Sequence, residues 1–271
     1  MSFVIRVLLF VLLTVATQIG GIAYLISLPL RQVSRQWIRH RLLNAAVCFL
    51  VVYAGVWYGA ANLAPLVGRY PIPCFGNAPS HLMMQSPMYC MMNRNYVRSD
   101  LLQIAEELAH DVDQKFPGTK TLALDAGFPF LDGFPLLPHL SHDDGNKLDL
   151  AFYYADLSDG YQIGKTKSPI GYWAFELPKD NQRDACAAVD AGFSMRWEMA
   201  WFSVLNNDLV LEPKRTAYAI RWLAQKGRRL GVTKVFVEPH LLSELGLSGQ
   251  NLKFQGCYAA RHDDHIHFQT D

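Results

Sequence analysis

The chain has 271 residues, 51% of them hydrophobic and 18% charged, with a formal net charge of +1. That balance excludes a disordered chain, which needs low hydrophobicity and high net charge, and electrostatic nucleic-acid binding, which needs a basic surplus. It allows a sizeable core.

Apolar residues are unevenly spread. Val7 to Leu30 holds no charged residue over 24 positions, and Leu42 to Gly68 holds none over 27. Each is long enough to cross a bilayer, which takes about 20 apolar residues. A signal peptide is the alternative for the first stretch, but its apolar region runs only about 7 to 15 residues. Arg31, Arg35, Arg39 and Arg41 lie between the stretches, so the positive-inside rule predicts a cytoplasmic loop over 31–41 with both termini outside. Residues 1–69 are thus expected to form a two-helix transmembrane hairpin, with Gly20, Gly21, Gly55 and Gly59 allowing close helix packing. The rest, from about Tyr70, is expected on the outer side of the cytoplasmic membrane, facing the periplasm. There Cys74, Cys90, Cys186 and Cys257 form an even set that permits two disulfides. Cys74 with Cys90 is the preferred pair because they flank a short polar, Pro-containing stretch; free buried cysteines are the alternative.

Residues 70–97 carry prolines and no clean period, which predicts a linker or irregular segment. Met83, Met84, Met88, Met91 and Met92 in it could serve as soft copper ligands, but packing is the better reading. A helix follows, capped by Ser99 or Asp100 with Gln103 in capping-box position, and Leu101, Ile104, Ala105, Leu108 and Val112 form its apolar face. "FPG" at 116–118 stops it. A short strand is expected at Thr121 to Leu124, and alternation predicts another from Lys147 to Tyr154. Between Leu157 and Val210, "GYWAFELP" and "RWEMAWFSVL" suggest aromatic strands or a short helix. A second helix starts at Pro213 and runs to about Gly227, with Ala217, Ile220, Leu223 and Ala224 inward. "KVFVEP" at 234–239 predicts a buried strand, and the chain closes on a strand from about Asp264 to Gln269. The fold class expected is α+β, with a largely antiparallel central sheet flanked by helices.

Five of the nine histidines fall in two windows, 139–149 and 262–267. In a strand, residues two apart share a face, so His265 and His267 project together. His142 and Asp149 can converge only if the chain turns at "DDGN", where Gly145 can take a positive φ. Two imidazoles and a carboxylate make the donor set of a catalytic zinc, with a fourth position left for water.

"HDDGNKLD" at 142–149 and "HIH" at 265–267 resemble the H-x-x-G-x-x-x-D and H-x-H signatures of the zinc peptidases of the lysostaphin, D-Ala-D-Ala peptidase and hedgehog-like group. The resemblance covers two short windows of the chain. It implies that His142, Asp149 and His267 ligate zinc and that His265 acts beside it. "HDDHIH" looks most like the penicillin-insensitive murein endopeptidases, with His262 where other members carry a glutamate base. His262 and His265 thus share the base and oxyanion-stabilising roles. Asp263 and Asp264 are expected either to accept the second N–H of ligand imidazoles or to be solvated turn residues, and His139 is expected at the surface. The function implied is a membrane-anchored zinc peptidase of peptidoglycan, with 98–271 as its exported domain and cross-link cleavage favoured. The alternative is a zinc-binding, non-catalytic module that binds peptidoglycan or a partner.

Overall fold

The computed structural model of the chain describes residues 2–75, 80–158, 160–189 and 208–271. "RWEMAWFSVL" lies outside them.

The first apolar stretch is not one span. It divides into α1 (Phe3–Thr17) and α2 (Gly20–Val33), broken at Gln18, which takes a φ of 64°. At 1.5 Å per residue these helices are about 22 and 21 Å long, short of a bilayer core of about 30 Å. The local chemistry favours a break. Thr14 and Thr17 turn their hydroxyls back to the carbonyls of Phe10 and Leu13, which competes with a straight helix, and two glycines follow. Those glycines let the helices touch: a Cβ on Gly20 would lie 2.7 Å from the Leu13 carbonyl oxygen, and one on Gly21 2.0 Å from Thr14 Oγ1. Gly55 and Gly59 have nothing within 4 Å, so they make no such contact.

A single turn at Ser34–Gln36 leads to α3 (Arg41–Leu63), which runs on through a turn at Ala64–Val67. Among the described residues, Arg41–Val67 is the helix long and apolar enough to cross a membrane, and only 11% of its most apolar window is buried within the protein. The expected two-span hairpin therefore reduces to one candidate span.

Beyond it come β1 (Tyr70–Pro71), β2 (Leu82–Met84), α4 (Pro87–Met91), β3 (Tyr96–Val97), α5 (Ser99–Lys115), β4 (Thr121–Ala123), β5 (Lys147–Ala151), β6 (Tyr154–Asp156) and β7 (Gly160–Tyr161). The chain continues through β8 (Leu209–Leu211), α6 (Pro213–Trp222), β9 (Val232–Phe236), α7 (Pro239–Glu244), β10 (Leu252–Lys253) and β11 (His265–Thr270). The main sheet has six strands in the order β10-β9-β11-β5-β4-β2. The class is α+β, but the sheet is mixed rather than largely antiparallel. Its three central pairings are antiparallel, whereas β2–β4 and β9–β10 are parallel. The reason is connectivity: α5 and α7 are crossovers between those strands, and a crossover returns the chain parallel. The Leu82–Met84 strand also brings the expected linker into the main sheet, and Met84 is fully buried in the core.

α5 buries Leu101, Ile104, Ala105, Leu108 and Val112 as its spacing requires. Its N-cap is Arg98, not Ser99 or Asp100, and makes no side-chain cap bond. The expected strand at 147–154 splits, because β5 joins the main sheet and β6 a three-stranded one with β7 and β8. "GYWAFELP" forms no regular element. α6 is capped by the Glu212 carboxylate on Lys214 N and Arg215 N, and a π-helical turn continues it over Leu223–Gly227. Disulfides join Cys74 to Cys90 and Cys186 to Cys257, while Cys48 is free and buried.

Candidate metal centre

β5 and β11 lie side by side at the middle of the main sheet, and their antiparallel register sets His267 directly opposite Asp149. Cross-strand partners sit about 4.5 to 5.5 Å apart, so two polar groups on one face must meet. His267 Nδ1 is 2.8 Å from Asp149 Oδ1. The third member arrives from the turn before β5. Gly145 adopts a φ of +74°, its amide neighbourhood is fixed by the bond from Arg98 N to Gly145 O at 2.9 Å, and His142 folds back over the sheet. His142 Nε2 then lies 3.2 Å from His267 Nδ1 and 3.3 Å from Asp149 Oδ1. His142 Nδ1 is 2.9 Å from the Ala126 carbonyl, to which it donates, so a neutral His142 ring keeps its lone pair on Nε2, facing the other two.

The three atoms thus form a triangle with edges of 2.8, 3.2 and 3.3 Å. A tetrahedral zinc with bonds of about 2.0 to 2.1 Å has ligand–ligand edges of about 3.3 Å, so the donor set fits such an ion. A second grouping shares two of these residues. Ligand atoms of His139, His142 and Asp149 all lie within 4.8 Å of one another and could hold a metal ion. His139 is therefore not a surface residue, as its sequence position suggested. It is held at the site by a turn in which His142 N donates to His139 O at 2.9 Å. Its Nδ1 lies 3.0 Å from Asp125 Oδ2 and 3.3 Å from Asp149 Oδ2, at ion-pair distance but out of line for a hydrogen bond.

His265 and His262 flank the triangle, their rings 4.9 Å apart, with His265 Nε2 3.7 Å from Asp149 Oδ2. Phe236 of the neighbouring β9 packs on both His262 and His267, at 5.4 and 5.3 Å. The His262 backbone is clamped by Glu238, whose amide donates to His262 O and whose carboxylate accepts from His262 N. Asp264 lies behind His265, with Oδ1 2.5 Å from His265 Nδ1. Asp263 does not orient an imidazole in this way. It turns to Arg261, accepting bonds of 2.9 and 2.5 Å.

No protein-family model matches this chain, and no curated protein matches it. The site must be read from its own geometry.

Asp149, His142, His262, His265, His267 and Asp263 are all buried, which separates their protonation states. Burial pushes Asp149 up, but the charges of His142, His265 and His267 outweigh it and hold the carboxyl well below its ordinary range. Burial depresses His267 to about 4, and it lowers His262 well below the ordinary imidazole value with help from His265 and His267. His265 goes the other way: burial opposes its charge, yet Asp149 and Asp264 raise it to about 9. Burial lifts Asp263 to about 6 against the pull of Arg261.

Three neighbours carried no sequence signal. Tyr172 donates to Asp149 Oδ2 at 2.6 Å, and Arg94 grips Asp125 with two bonds of 2.5 and 2.7 Å. These residues come from distant loops and only the packing brings them in. His139 did have a signal, since it stands three residues before His142. The whole cluster opens into a cavity of about 200 Å³, lined by His139, His142, Asp149, His262, His265 and His267 together with Pro138 and Leu140.

Proposed function

We propose that the chain is a membrane-anchored, zinc-dependent peptidase that hydrolyses peptide bonds of bacterial peptidoglycan, with cross-links the favoured substrate. The observation that carries the reading is the triangle of His142 Nε2, Asp149 Oδ1 and His267 Nδ1, with two further imidazoles facing the same cavity. In this reading those three atoms hold the zinc. His139 stays outside the set in this reading, its Nδ1 lying 3.0 Å from Asp125 Oδ2 and 3.3 Å from Asp149 Oδ2. Zinc, when bound, supplies Lewis acidity and makes a water acidic enough to lose its proton near neutral pH.

The remaining residues divide the work by their environments. His262, kept neutral among Phe236 and the other rings, accepts a proton. His265, tied to Asp264, donates a hydrogen bond to the oxyanion that develops on the scissile carbonyl. Tyr172 and Arg94 fix Asp149 and Asp125 beneath them. In the same proposal Arg41–Val67 crosses the cytoplasmic membrane, with the basic segment 31–41 inside and the metal cavity outside, while residues 88–94, bonded to Tyr53 and Trp57, reach down beside the helix. Its apolar side chains support this, for Leu42, Leu50, Val51 and Tyr58 are all more than half exposed in the isolated chain, unlike those of a core helix.

The test uses the full chain in detergent. Zinc is counted by elemental analysis, and fragments released from purified peptidoglycan are identified by mass, with and without chelator. One zinc per chain and chelator-sensitive release are expected, with both lost in His142→Ala and His267→Ala. Full hydrolysis by either variant overturns the proposal. A protein that holds one zinc but releases nothing would be the non-catalytic module instead.

A further inference from the structure

We infer that the mouth of the metal cavity belongs to one face with the membrane-contacting helices, so that the cavity receives peptides held at the bilayer surface rather than free in solution. This deepens the proposed function and rests on the reading of Arg41–Val67 as a membrane span.

The domain is not tethered loosely to its helices. Trp57 Nε1 of α3 donates to the Cys90 carbonyl at 2.7 Å, and the Tyr53 hydroxyl donates to the Met91 carbonyl at 2.5 Å. At the break between α1 and α2, Asn93 Nδ2 donates to Thr17 O at 3.2 Å, and Phe130 N donates to Gln18 Oε1 at 2.9 Å. Two segments of the domain, 88–94 and 128–142, are thereby joined to the helices, the first through Cys90, Met91 and Asn93 and the second through Phe130. They are also fixed to each other, since Arg94 donates to the Leu137 carbonyl at 2.7 Å.

These two segments expose large apolar side chains: Met88 is 43% exposed, Met91 64%, Leu131 58%, Leu137 52% and Leu140 54%. Such a group marks a contact surface, because each apolar side chain left in water forgoes the gain of its burial. The occupant follows from continuity. The patch adjoins helices whose outward side chains are apolar along their length, and one of them is long enough to span a bilayer, with exposed Arg35, Arg39 and Arg41 at its start to meet anionic headgroups. The partner is therefore lipid. Met88 and Met91, unbranched and adaptable, suit that boundary better than a copper site. Leu140 is also part of the cavity wall beside His139 and His142, which joins the lipid-facing patch to the chemistry. A peptide reaching these imidazoles along the membrane passes over Leu137 and Leu140, so the substrate class is a peptide on a lipid or membrane anchor.

The experiment places single cysteines at Met91, Leu131 and Leu137, none of which lines the cavity, in the full chain reconstituted into vesicles of phosphatidylethanolamine and phosphatidylglycerol. Each is labelled with an environment-sensitive fluorophore and quenched by lipids brominated in their acyl chains. Buried Cys48 stays, and unmodified protein supplies the background. Leu50→Cys reports the span, and Lys115→Cys, at the far end of α5, reports water. Several-fold stronger quenching at 91, 131 and 137 than at 115 is expected. Quenching at 50 but not at these three overturns this inference alone, and labels shielded from water yet untouched by brominated chains would mean a protein partner and overturn it too. No quenching at 50 removes the span and the inference together.

Discussion

Asp149 is a fully buried carboxylate surrounded by imidazoles, and its environment makes the site's pH behaviour calculable in sign. Without metal, His142 and His265 carry raised folded-state values, that of His265 reaching about 9. A raised basic group binds its proton more tightly in the folded state, so its stabilisation is complete below the unfolded value of about 6.5 and fades as pH rises through about 9. Chelated protein should therefore show a melting temperature that falls across that window, and His265→Gln should flatten the fall. Two further substitutions separate ligands from acting groups. His265→Ala should keep its zinc while turnover drops by about 10²- to 10⁴-fold, the usual worth of a positioned acid or base. His139→Ala should also keep its zinc; loss of the metal there would move His139 into the ligand set in place of His267. The residues proposed to bear the chemistry were legible because histidines are few and their clustering stands out. Asp125, Arg94 and Tyr172 were not, because a hydrogen bond between distant segments leaves no local pattern.

At the scale of elements, the site depends on a turn, a register and a strap. The turn is the most exacting: a Cβ at Gly145 would lie 1.4 Å from Arg69 Nη1, and Arg69 is itself buried and paired with Asp132. Gly145→Ala should cost at least the roughly 1 to 2 kcal/mol of a left-handed conformation and should weaken zinc retention, as denaturant titration and metal competition would measure. The strap is the Cys186–Cys257 disulfide, which closes a separation of 71 residues and holds the loop whose Gln255, Ala259 and Ala260 wall the cavity. Its removal in Cys186→Ser should cost up to about 4 kcal/mol by loop-closure entropy. The alternating pattern of β5 and the closing strand could be read directly, although both faces of each strand are buried. The pairing of that closing strand between β5 and β9 could not, because strand order depends on crossovers rather than on either strand's own residues.

For the whole molecule, the helices and the domain act as one body at their junction. Trp57, Tyr53, Asn93 and Gln18 make hydrogen bonds across it, each worth about 0.5 to 1.5 kcal/mol net, beside the apolar surface they cover. A chain starting at Tyr70 should therefore melt lower than the full protein and bind more of a hydrophobic dye. The full chain should stay with the membrane fraction through an alkaline carbonate wash. Release by that wash would place the helices on the surface instead of across it.

The sequence by itself determined what is local. Charge-free length marked Leu42 to Gly68, heptad-like spacing marked α5 and α6, and histidine spacing with a turn-forming Gly145 marked the site, because each depends on neighbours within a few residues. Tertiary structure decided the rest. It tied the break at Gln18 to the domain, where the side chain accepts from Phe130. It drew Leu82–Met84 into the main sheet, made that sheet mixed through two crossovers, and brought His139 in from the surface. Those outcomes depend on contacts between segments far apart in the chain, and no periodicity in a short window encodes them.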